Sequence, residues 1–120
     1  NTLIEIYYGS NNQEGQLSIA NPNLDDVAGF QFNLTGVSLS GASGGLAEES
    51  GFTVSVGSDT GIVIGFAFDG NIIPGTSSGI LTNISVSTIS SNICIENVIF
   101  ADQNGEPIIN IIIGEYCIEH

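Results

Sequence analysis

The sequence predicts an all-β fold, a sandwich or jelly roll, and three observations carry that prediction. Short runs rich in Ile, Val and Phe alternate with a period of two. Clusters of Gly, Asn, Ser and Asp separate these runs at regular intervals, as turn chemistry requires. No segment sustains a helical stripe, and residues 46–50 (LAEES) offer one helical turn at most. Regularly spaced short strands of this kind build two-layered β architectures.

Each element can be justified in chain order. Residues 2–8 (TLIEIYY) are strong strand formers with Ile4, Ile6 and Tyr8 on one face, and a polar linker follows over 9–15. A second strand begins at Leu17. Phe30, Phe32 and Leu34 then share a face, with Gln31 and Asn33 opposite. Phe52, Val54 and Val56 alternate with Thr53 and Ser55. Ile62, Ile64, Phe66 and Phe68 alternate with Val63, Gly65 and Ala67, and the six phenylalanines are expected largely on core faces. Ile80, Thr82, Ile84 and Val86 alternate with Leu81, Asn83, Ser85 and Ser87. The run 108–113 (IINIII) is apolar on both faces, which predicts a centrally buried strand. Turns are expected at 41–45, 57–59, 69–71, 74–75 and 104–105. The chain divides into an N-terminal strand and linker, 1–16, and a β-sandwich domain, 17–120.

Charge excludes several functions. Thirteen Asp and Glu stand against no Lys or Arg and a single histidine, His120, for a formal net charge of −13. A chain without basic side chains cannot replace the counterions on a phosphate backbone, so no nucleic acid is expected as partner. An anionic membrane surface is equally unsuitable, and no apolar run is long enough to insert as a membrane-spanning helix. Carboxylates alone repel one another, which favours solubility and opposes compaction. Adaptation to saline or calcium-rich surroundings and a cation bound by specific carboxylates both relieve that repulsion. The chain opens on Asn1 without a signal-like segment and reads as a mature chain or a fragment of something larger. Cys94 and Cys117 lack metal-ligand spacing and are expected to form a structural disulfide, which places the chain outside a reducing compartment.

Three segments, in order, resemble cohesin domains, the modules that hold dockerin-bearing enzymes on bacterial scaffolds. They are Val27–Leu34 (VAGFQFNL), then Ile64-Gly65-Phe66 with Ile73-Pro74-Gly75 and Gly79-Ile80-Leu81, then Ile95–Asp102 (IENVIFAD) with Asn104-Gly105. The resemblance covers about residues 17–119. It implies a jelly-roll β-sandwich of about nine strands and a role in protein binding. It also implies that the last two strands lie in opposite sheets, so that Cys94–Cys117 would staple the sandwich. The matched motifs are core and turn positions, so no dockerin-contacting residue is carried over. The chain departs from the family in being short, in its two cysteines, in lacking Lys and Arg, and in its extra N-terminal run.

Catalytic constellations are thin, and the chain is not expected to be an enzyme. The one histidine is terminal, and adjacent carboxylates such as Asp25-Asp26 and Glu48-Glu49 point to opposite faces if they lie in strands. No cofactor is expected; calcium, a hard cation that takes carboxylate and carbonyl oxygens, is the candidate ion. Its candidate ligands are Asp102, Asn104 and Glu106 in one loop and Asp25 and Asp26 in another. Neither loop matches an EF-hand, and the competing readings are a turn between the last strands and a solvated loop. Asn33-Leu34-Thr35 and Asn83-Ile84-Ser85 are N-glycosylation triplets whose asparagines oppose the apolar faces; occupancy depends on the source. Tyr7, Tyr8 and Tyr116 are the aromatics left for stacking on sugars in a chain without Trp, which makes polysaccharide the less favoured partner.

These readings converge on a non-catalytic module of the cell surface or extracellular space, binding a protein partner or itself; a carbohydrate-binding module is the alternative. For self-association the candidate is the N-terminal strand, with Ile4, Ile6 and Tyr8 on its apolar face. It either folds back onto its own domain or is donated to the next subunit.

Overall fold

The computed structural model describes residues 2–114 and 116–118, with the side chains of 88, 90 and 91 excepted. Eight strands and one helix are formed among them: β1 (Thr2–Gly9), β2 (Leu17–Ala20), β3 (Gly29–Ser43), α1 (Gly45–Glu49), β4 (Thr53–Val56), β5 (Ile62–Phe66), β6 (Gly79–Ala101), β7 (Ile112–Ile113) and β8 (Cys117–Ile118). Hydrogen bonds join the strands into one mixed sheet in the order β4-β5-β3-β6-β1-β2-β7, with β8 on β6. That sheet curls strongly into a half-barrel, and its concave side holds the core. The all-β expectation holds, as does the single short helix.

Two long strands make the curl. β3 runs antiparallel to β6 from the pair Gly29↔Ala101 to the pair Ser43↔Asn83, with four register shifts on the way. Such shifts are bulges or larger irregularities of the ladder, and a bulge bends a strand and increases its twist. One is legible in detail: between Gln31↔Ile99 and Asn33↔Glu96, β6 has one residue more than β3, and Asn97 there takes a left-handed φ of 55°. Asparagine tolerates that conformation better than most residues. β6 thus serves two regions. Along its other side β1 pairs with residues 79–86, and β8 pairs with Ile93 and Cys94.

Aromatic rings fill the centre of the curl. Phe30 lies within 5.7–6.1 Å, centroid to centroid, of Phe32, Phe52 and Phe100, and Phe100 lies 5.6 Å from Tyr8. Ile4, Ile6, Leu17, Ile19, Leu34, Val63, Ile84, Val86, Ile93 and Ile95 close around them, all buried. Phe30 has room because residue 65 is glycine. A Cβ at that position would collide with the Phe30 ring, so the strand approaches the ring through its bare backbone.

Three sequence expectations are corrected here. In β5 both faces are apolar, and the curl selects the other one: Val63 is buried while Ile64 and Phe68 face solvent. The run 108–113 is peripheral rather than central. Its β7 is the outermost strand, two residues long and paired to β2, and Ile109 and Ile112 are exposed. Continuous apolar runs do not report which face is covered, so neither assignment was decidable from the pattern. Third, Cys94 and Cys117 are bonded, but across neighbouring strands. They are register partners in β6 and β8 with a Cα–Cα distance of 4.0 Å, and no second sheet is involved.

Candidate functional site

The acidic loops are built by backbone hydrogen bonding. In the turn after β6, the Asp102 amide donates to the Glu106 carbonyl (2.9 Å) and the Gly105 amide to the Asp102 carbonyl (3.0 Å). Asp102 Oδ1 accepts from the amides of Asn104 (2.9 Å) and Glu106 (3.0 Å). The carboxylate therefore replaces a missing ladder partner for two amides, as Asp does in Asx turns. The second loop hangs on Asn21, fully buried, which donates through Nδ2 to the Tyr8 hydroxyl (2.7 Å) and to the Asp25 carbonyl (2.8 Å). Asp26 Oδ1 accepts from the Gly75 amide (2.9 Å), and paired hydrogen bonds between Val27 and Ile73 continue that contact. Gly75 packs so closely on the Leu24 carbonyl that no side chain fits there.

The fold brings the two loops together. Asp25, Asp102 and Glu106 line one open cleft of about 390 Å³ with Asn23, Pro107, Ile108 and Ile109. Asp26 points instead toward Gly75, and Asn104 is not among the lining residues. Among the described residues no three of His, Cys, Asp and Glu converge closely enough to hold a metal ion. The Asn21 Oδ1 atom is buried without a partner, although its amide group is fully used. Burial pushes the Tyr8 phenol above its ordinary value. The Asn21 amide opposes that push by donating to the phenol oxygen, while the charges of Asp25 and Asp26 add to it.

A second surface lies on the convex side of the sheet. Strand register puts Ile64, Gln31 and Ile99 in one row across β5, β3 and β6, all pointing outward. Ile64 is 40% and Ile99 51% exposed. The next row is Phe66, Gly29 and Ala101. Gly29, Gln31, Ile64, Gly65, Ile99 and Ala101 line an apolar groove of about 240 Å³. Phe66 meets Phe68 edge-on, and Phe68 is 86% exposed. On the opposite side of the row, Asn33 sits between Ile62 and Glu96 on the same face. The glycosylation triplet at Asn33 therefore borders the apolar groove. The other, at Asn83, lies between Glu5 and Ser43. Both asparagines are half-buried.

The remaining candidates are dispersed. Of the three tyrosines, Tyr8 is fully buried in the aromatic core and is withdrawn as a sugar platform; Tyr7 is half-buried and Tyr116 is 63% exposed. Ile4, Ile6 and Tyr8 are core residues of β1, which folds into its own sheet between β6 and β2. His120 lies outside the described residues. Sequence reasoning passed over Asn21, Gly65 and the Gln31 row. Glycine within an apolar strand, as at 65, is the signal of a close approach that was there to be used. A polar residue ending the run LSIAN is a weaker one. No family model, curated protein or solved structure matches this chain.

Proposed function

We propose that this chain is a non-catalytic, cohesin-like module of the cell surface or extracellular space, acting through protein contacts as a scaffold domain or as the repeating subunit of a surface assembly. The observation that carries the reading is the outward apolar groove at Gln31. In a chain of net charge −13, strand register gathers Ile64, Ile99 and Phe66 on one outward face, with Phe68 beside them. Rimmed apolar patches of this kind are characteristic of interaction sites. The disulfide agrees with an oxidising surrounding. The jelly-roll kinship rests on the three segments that resemble cohesins, whose residues here form β3, the β5 region and the end of β6.

Carbohydrate binding is the second reading, and Tyr116 with half-buried Tyr7 is what favours it. The two separate in one experiment. Sedimentation of the purified chain, and of an Ile64→Asp/Ile99→Asp variant, is compared with retention on a panel of polysaccharides. Association that the double variant loses supports the protein-contact reading. Saturable retention on a polysaccharide, lost in Tyr116→Ala and kept in the double variant, replaces it.

A further inference from the structure

We infer that β1 is an exchangeable strand, and that the partner it fits is the β6–β2 slot of a second copy of this chain. The inference begins with an irregularity in topology. β1 and β2 are consecutive and parallel, with Ile6 opposite Leu17 and Gly9 opposite Ala20. Consecutive parallel strands ordinarily need a crossover of a dozen or more residues. Here seven residues, 10–16, connect them. From Gly9 the link must run back about 10 Å, three residue rises, before β2 begins beside Ile6.

What holds the link folded back is slight and polar. Ser18 Oγ donates to Asn12 Oδ1 (3.0 Å) and accepts from the Gln13 amide (2.8 Å). Gln16 Nε2 reaches Glu5 Oε1 at 3.2 Å. Residues 10–15 are exposed. β1 itself is the opposite: Ile4, Ile6 and Tyr8 are buried, and Tyr8 anchors both Phe100 and Asn21. The slot cannot stand empty, because the core would lose three large side chains. The element that refills it must present Ile, Ile and Tyr at alternate positions, with an amide ladder to β6. Another β1 does so atom for atom, so exchange conserves every contact of the slot and alters the link alone.

Reach and charge allow it. Straightened, seven residues span about 23 Å, enough to carry β1 clear of its own sheet. The strand carries one acidic residue, Glu5, and so enters a neighbour with little of the repulsion felt by the rest of the surface. Beyond the pairs with β2, the outer edge of residues 2–5 faces an open cleft of about 290 Å³, lined by Leu3, Glu5, Gly15, Gln16 and Ile118. The N-terminal half of β1 is therefore free to peel from one side.

The test uses register. Glu5 and Asn83 are partners across β1 and β6. The Glu5→Cys/Asn83→Cys chain, its native disulfide intact, is concentrated in salt, oxidised and run unreduced in denaturant. Exchange yields covalent dimers or a ladder whose share rises with concentration, absent from both single variants. Bonds confined to monomers at all concentrations, or thiols left free, overturn it. A second variant removes residues 11–14: the shortened link cannot fold back, so exchange converts the chain wholly to folded multimers, and a folded monomer overturns the inference. The inference rests on the reading of the chain as an assembling module. Copies that associate while carrying only internal bonds refute exchange and leave that reading standing.

Discussion

At the scale of single residues, stability concentrates where a polar group is buried. Tyr8 and Asn21 share one hydrogen bond inside an apolar shell, and Asn21 also ties the loop that holds Asp25. Tyr8→Phe keeps the ring stack on Phe100 and leaves one Asn21 N–H unpaired, which costs about 1–3 kcal/mol at neutral pH. The same hydroxyl makes stability depend on alkali. Its folded pKa is raised, so its contribution is complete below the unfolded value near 10 and is lost as pH climbs through the folded value. Thermal melts between pH 9 and 11 should fall for the native chain and fall less for Tyr8→Phe; parallel curves would remove Tyr8 as the cause. Cys94 and Cys117 act through the unfolded chain instead. Their loop spans 23 positions, and opening it by paired substitution to Ser should cost about 3 kcal/mol in denaturant titrations.

At the scale of elements, how much was legible depended on how many faces of a strand are apolar. β3 alternates Phe30, Phe32 and Leu34 with Gln31 and Asn33, and both its existence and its buried face follow from that pattern. β1 reads equally well, down to Ile4, Ile6 and Tyr8. β5 and β7 do not, because Val63, Ile64, Ile112 and Ile113 carry no polar mark to tell inside from outside. The half-barrel was invisible for a different reason: curvature comes from bulges, and a bulge such as the one at Asn97 is a matter of register between distant strands. The convergence of the Asp25 and Asp102 loops on one cleft depends on the same long-range pairing. Gly65 offers a test of element packing. Gly65→Ala pushes the Phe30 ring against its three aromatic neighbours and should destabilise by about 1–3 kcal/mol. Gly41→Ala, in open space on β3, should stay within about 0.5 kcal/mol. Equal urea midpoints for the two would mean that the ring relaxes freely.

At the scale of the whole molecule, thirteen carboxylates have no Lys or Arg to answer them. Their repulsion acts over about 10 Å in 0.1 M salt and shrinks as ionic strength rises. The melting temperature should therefore climb with sodium chloride and level off near molar concentrations; a flat curve would show that the charges lie too far apart to matter. Calcium at matched ionic strength should give the same climb, since Asp102 Oδ1 already serves two amides and Asp26 Oδ1 a third. An extra rise with calcium, absent in Asp102→Ala, would establish a site in the cleft between those loops.

The cross-strand bond between Cys94 and Cys117 has a consequence for how this chain withstands proteolysis. Residues 103–107 and Ile109 are exposed and lie within the span the bond closes. Exposed turns are where proteases cut. A nick there adds one water to the mass but frees nothing: β7 remains paired to β2, β8 remains bonded to β6, and the pieces part only on reduction. An exposed turn of the molecule can be severed while the sheet that carries the apolar groove stays whole.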